Sequence, residues 1–87
     1  PGHVAPPNGE SWNAVRQRVD SAIDEYLTHA HKDLIVVAHF GVILTQVQRA
    51  LGISAYETFS HRINNLSATV LNHGSDGWTV DHINHIP

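Results

Sequence analysis

Leu34-Ile35-Val36-Val37-Ala38 runs directly into His39-Phe40-Gly41, and this stretch decides the fold. Five consecutive apolar residues are too few for a helix, and Ile35, Val36 and Val37 are β-branched. Such a run predicts a strand buried on both faces, the kind found inside a parallel sheet. His39-Phe40-Gly41 interrupts it. Ile43, Leu44, Val47, Ala50 and Leu51 then recur at helical spacing, and Gly52 is the expected stop.

Upstream, Trp12, Val15, Val19, Ala22, Ile23, Tyr26 and Leu27 follow one another at steps of three, four and one. They form an apolar stripe down one side of a long helix, with Arg16, Arg18, Asp20, Asp24 and Glu25 filling much of the remainder. Asn8 and Ser11 both suit its N-cap. His29, His31 and Lys32 near its far end suit the negative pole of the helix dipole. Residues 1–9 hold three of the four prolines and read as an extended lead-in with a turn. Downstream, Ser54-Ala55-Tyr56-Glu57 matches a capping box, which predicts a short helix through about His61, ended by Asn64-Asn65. Residues 67–72 and 78–83 read as two strands joined at Gly74-Ser75-Asp76-Gly77, a hairpin. Helices interleaved with a buried strand define an α/β chain.

With 87 residues there is room for one domain, and the chain hides only roughly 60–65% of its unfolded surface. Charged residues make up 15% and the formal charge is −3, without a basic run, so electrostatic nucleic-acid binding is not expected. No apolar stretch approaches the ~18 residues that would read as a membrane span. The absence of cysteine excludes a disulfide scaffold and a thiolate zinc site, and is compatible with a reducing, cytoplasmic setting. Pro1-Gly2-His3 shows no initiator Met and no signal-peptide pattern and does not read as a natural start, so it carries no information on targeting signals upstream.

His39 is the leading candidate for chemistry. It sits at the carboxyl end of the predicted strand, with a turn and a helix N-terminus immediately after it. Ligands of open α/β sheets bind outside the carboxyl ends of the strands. The free N–H groups and dipole of a helix N-terminus favour an anion there. A histidine donates hydrogen bonds to phosphate and, when protonated, offsets part of its charge. Gly41 allows close backbone approach. The competing reading is a histidine bonded to a neighbouring carbonyl at a strand end.

From His39 outward the sequence resembles the C-terminal half of the histidine phosphatase superfamily, the phosphoglycerate mutase-like proteins. Gly9-Glu10-Ser11 followed by Val15 and Arg18-Val19 is similar to that family's Gly-Glu-Ser segment and its helix. Residues 34–39 resemble the strand that ends in the second active-site histidine, and Gly41-Val42-Ile43 continues into the next helix. Ile63-Asn64-Asn65-Leu66-Ser67 and Trp78-Thr79-Val80 through Ile83-Asn84-His85 resemble the last two strands and tail.

The resemblance implies a phosphoglycerate mutase-like sandwich with helices on a mostly parallel sheet and a C-terminal hairpin, of which residues 1–87 are the C-terminal half. It implies a phosphatase or phosphomutase that acts on a small phosphate ester through a phosphohistidine. His39 would be the second active-site histidine, with His39, Phe40 and Gly41 on the substrate, and neither cofactor nor metal is implied. Phosphoryl transfer needs positive donors around the equatorial oxygens. The family's nucleophile lies in an Arg-His-Gly motif, and none occurs in this chain, so these residues alone are expected to be inactive.

One departure is local: the family has glycine where Phe40 stands. Phe40 is strained if that position needs φ > 0, and otherwise lines the substrate pocket. Glu10 reads as serving the first-turn N–H groups rather than as the proton donor, Ser11 as a cap, and Arg18 as an ion-pair partner.

Two alternatives remain. A short chain lacking the catalytic half would be a non-catalytic phosphate-binding or interaction module. His29, His31, His61, His73, His82 and His85 raise a histidine-based metal module, but no fixed-spacing metal motif occurs. On a regular strand His82 and His85 point to opposite faces. The predicted strand 34–38, left alone, exposes an edge through which copies of the chain would associate.

Overall fold

The computed structural model describes residues 2–6, 9–29, 33–75 and 77–86. In chain order the elements are α1 (Trp12–His29), α2 (Phe40–Leu51), α3 (Ala55–Thr58), β1 (Ala68–Gly74) and β2 (Gly77–His85). The architecture is α/β, helices with a two-stranded antiparallel hairpin.

Helix α1 begins at Ser11, whose Oγ accepts from the Ala14 N–H at 3.1 Å. The Asn13 N–H, another donor without an intrahelical partner, reaches back to the Gly2 carbonyl at 2.8 Å, so the lead-in folds over the helix start. Asn8, His31 and Lys32 lie outside the described residues, while His29 occupies the last turn as expected. Only part of the apolar stripe is covered: Val19 and Ile23 are buried, whereas Ala22 and Tyr26 face solvent.

Helix α2 is the centre of the molecule, packed against α1, α3 and both strands. Its Leu44 and Val47 join Val19 and Ile23 as the buried apolar residues. Around them the interface is polar, and three of its buried side chains find partners, whereas the buried Arg16 Nε has none among the described residues. Buried Thr45 donates to the Val42 carbonyl at 2.6 Å, and buried Gln46 donates to Asp20 Oδ1 at 2.9 Å. Buried Gln48 accepts from Trp12 Nε1 at 2.6 Å. Each bond satisfies a group that burial would otherwise penalise. Arg49 ties α2 to α1 through Asp24 and lies 4.6 Å over the Trp78 ring of β2. Gly52 ends the helix at φ 65°, with its N–H on the Gln48 carbonyl at 2.8 Å, a left-handed cap that favours glycine.

The capping box holds at Ser54, which accepts from the Glu57 N–H at 3.1 Å, but α3 is a single turn. In the usual box the glutamate reaches the cap's backbone; here the Ser54 hydroxyl donates to Glu57 Oε1 at 3.1 Å.

The expected buried strand at 34–38 is corrected. Residues 33–39 belong to no ladder among the described residues, and the segment is largely exposed. Relative exposure alternates along it, at 38% for Leu34, 90% for Ile35, 49% for Val36 and 96% for Val37. That period of two is the signature of a pleated chain, with one face leaning on the protein and the other open. The apolar pattern specifies a strand, but a strand needs a neighbour to complete its hydrogen bonds, and β1–β2 does not provide one here. The parallel sheet is accordingly not formed by the described residues.

The hairpin forms where predicted and runs longer. Gly74 faces Gly77 across a two-residue connection that includes Asp76, which is outside the described residues. Register then shifts twice, Leu71 facing Val80, Val70 facing His82 and Ala68 facing His85. Each shift inserts one extra residue in β2. Asn84 sits in the second bulge at φ 58°, a conformation its short polar side chain tolerates. Its Oδ1 accepts from the Asn64 N–H at 2.8 Å, and its own N–H donates to Thr69 Oγ1 at 3.1 Å.

Candidate functional site

His39 is the N-cap of α2, at φ −77° and ψ 160°, and its side chain makes no capping hydrogen bond. The imidazole is exposed, and the reading that ties it to a neighbouring carbonyl finds no such bond among the described residues. The His39 carbonyl accepts from the Ile43 N–H at 3.2 Å, which starts the helix. The N–H groups of Phe40, Gly41 and Val42 therefore stand in the first turn before the internal bonding begins. The exposed ring and these donors share one helix end, where the dipole adds partial positive charge.

Phe40 is helical and not strained, since among the described residues only Leu66 and Asn84 are non-glycine residues with positive φ. It lines a shallow groove with Leu44, Phe59, His61, Arg62 and Ile63. A Cβ built on Gly41 meets nothing within 4 Å, and its φ is not in the left-handed range. Packing and backbone conformation therefore leave this position free for a side chain.

Phe59 and Arg62 escaped the sequence reading because the connection after α3 has no periodicity to mark them. Their one local signal is the pairing of an aromatic residue with an arginine three positions later in a chain poor in charge.

Glu10 differs from its expected role. Its carboxylate does not cap α1, which Ser11 does, but pairs with Arg18 two turns along the helix at 3.0 and 3.2 Å. The hydrogen bond from Arg18 holds the Glu10 carboxyl below its ordinary value of 4.5, aided by the guanidinium charge. A depressed folded value stabilises above the unfolded pKa, and the contribution is lost as pH falls through the folded one. We expect the gap in urea midpoint between wild type and Glu10→Gln, present at pH 6, to narrow as pH is lowered below 4.5. Both groups are exposed, so the gap should be small and should vanish in 1 M salt. A gap that does not narrow as the carboxylate is protonated would contradict the ion-pair origin.

The bulges overturn the expectation for the C-terminal histidines. The extra residue between His82 and His85 puts both rings on one side, with centroids 5.1 Å apart. No group of three or more His, Cys, Asp or Glu suited to a metal occurs among the described residues. His73 instead stacks on Trp78, at 4.6 Å. No helix among the described residues is long and apolar enough to cross a membrane.

The candidate site is thus an exposed histidine heading a helix within an α/β chain. The family model of the histidine phosphatase superfamily (branch 1) matches residues 1–86, and the chain belongs to that superfamily. Comparison with curated proteins and with solved structures returns no match.

Proposed function

We propose that residues 1–87 are the C-terminal half of a cytoplasmic phosphatase or phosphomutase, in which His39 is the second active-site histidine and holds a phosphoryl group. The observation that carries this reading is the exposed His39 ring at the head of α2, which makes no hydrogen bond among the described residues. Membership of the superfamily supports phosphoryl transfer as the class of chemistry. His39 and the N–H groups of Phe40 and Gly41 would donate to the equatorial oxygens, and their charge and dipoles would offset the charge that accumulates there. A chain without cysteine supports the cytoplasmic part of the proposal.

Titration with inorganic phosphate, followed by NMR, tests the site. Shifts are expected at His39, Phe40 and Gly41, and unchanged shifts there would overturn the reading. Gly41→Ala separates fold from function. Alanine in a helix is worth up to about 1 kcal/mol over glycine, and the space around Gly41 is open. The variant should be as stable as wild type or more so, yet bind phosphate more weakly because a methyl group intrudes on the ligand. The same titration would reveal a non-catalytic phosphate-binding module, which differs only in lacking turnover when the whole protein is assayed.

The parallel sheet belongs to the same proposal. Residues 34–38 would pair with strands supplied by the other half, which would bury Ile35 and Val37. Covering two such side chains is worth about 3–6 kcal/mol. Without that cover, copies of the chain are expected to associate through the open edge. Light scattering should show mass rising with concentration, and Ile35→Lys with Val37→Lys should suppress the rise. A monodisperse monomer at high concentration would refute the association.

A further inference from the structure

We propose that the groove beside His39 receives the organic part of the phosphate ester, and that this part is planar and carries a second anionic group. The inference rests on the reading of His39 as the phosphoryl-holding residue. Phe40, the residue after His39 in the chain, forms one wall, while His39 itself is not among the lining residues. The groove is open and shallow, with a volume of about 460 Å³.

Leu44 and Ile63 supply apolar lining, and residues Phe40 and Phe59 are 66% and 46% exposed. Phe59 does not hang free. Trp12 meets it edge-on, with centroids 4.9 Å apart and an interplanar angle of 77°, and Trp12 is itself anchored on Gln48. A fixed aromatic wall with exposed surface is suited to stacking against a planar ligand, and it loses little side-chain freedom when it does so.

Arg62 supplies the second requirement. Arg18 and Arg49 are committed to carboxylates, whereas exposed Arg62 makes no ion pair among the described residues. Arg62 and His61 both line the groove, in a chain whose formal charge is −3. A free fork of donors beside an apolar wall matches a carboxylate or phosphate on an aromatic body.

The test compares inorganic phosphate, phenyl phosphate and 4-carboxyphenyl phosphate by NMR titration of the 87-residue chain. Phenyl phosphate should shift Phe40, Phe59 and Ile63 in addition to His39 and Gly41. It should also bind about 5- to 10-fold more tightly than phosphate, from one stacking contact. The carboxylate should tighten binding further, and Arg62→Gln should abolish that increment alone. Arg62 is exposed, so this variant should fold, which its unliganded spectrum checks. If all three ligands shift residues 39–41 equally and bind alike, the groove proposal fails while the His39 reading stands. If none shifts residues 39–41, the His39 reading itself fails. Shifts at Phe59 and Arg62 without shifts at His39 would also overturn the proposal, because groove and histidine would not share one ligand.

Discussion

Replacing Trp12 by alanine is expected to remove a large fraction of the stability of this chain. The indole connects three elements at once. It heads α1, donates to buried Gln48 near the end of α2 at 2.6 Å, and packs edge-on against Phe59 just after α3. Truncation of a large aromatic side chain costs about 3–5 kcal/mol, and the low end applies because Trp12 is half-buried. Leaving the Gln48 oxygen without a donor adds about 1–3 kcal/mol. A chain of this length has roughly 4–13 kcal/mol in total. The apolar core is small, with Val19, Ile23, Leu44 and Val47 as the buried hydrophobic residues among those described, so the lower part of that range applies.

Trp12→Ala should therefore leave a chain that is marginally folded at best. Trp12→Phe keeps an aromatic body against Phe59 and removes only the donor, so it should lose about 1–3 kcal/mol. Urea denaturation of the three proteins separates the two contributions. Equal losses in both variants would mean that the ring contributes nothing beyond its hydrogen bond.

The same residue shows how far the sequence could be read. Trp12 was legible as the first member of an apolar stripe, since period alone places it on the buried side of α1. Its hydrogen bond to Gln48 was not, because residues 36 positions apart meet only when two helices cross. The buried glutamines of α2 illustrate the general limit: polar residues read as surface until a partner from another element satisfies them. Local signals fared well. Ser54 with Glu57, Gly52, and the glycines flanking residues 75–76 each act within a few residues of themselves, and each took its expected place.

The failures have physical causes of the opposite kind. Residues 34–38 carry a strand pattern that no local interaction can complete. Their alternating exposure preserves the pleat while the ladder is missing. The meeting of His82 and His85 depends on one extra residue in β2, and strict alternation cannot anticipate a bulge. At the candidate site, His39 was legible from its position between a strand pattern and a helix. The groove around Phe59 and Arg62 was not, because it is assembled from α2 and a connection without periodicity.

The largest effect on activity is expected at His39, in a chain where a strand bearing Arg-His-Gly precedes residue 1. Such a chain should hydrolyse p-nitrophenyl phosphate, and the 87 residues alone should not, since they contain no Arg-His-Gly. Removing one preorganised donor from a developing oxyanion typically lowers kcat by about 10²–10³, or about 2.7–4 kcal/mol of transition-state stabilisation. His39→Ala should fall in that range, with a smaller change in KM, because charge builds on the equatorial oxygens mainly in the transition state. The substitution reads chemistry rather than folding: the side chain is exposed and makes no capping bond, so the urea midpoint should be unchanged. If kcat is unaltered in His39→Ala, His39 has no part in phosphoryl transfer. If instead the 87 residues hydrolyse the ester and His39→Ala abolishes that turnover, the nucleophile lies within this chain, and the division of the active site between two halves is wrong.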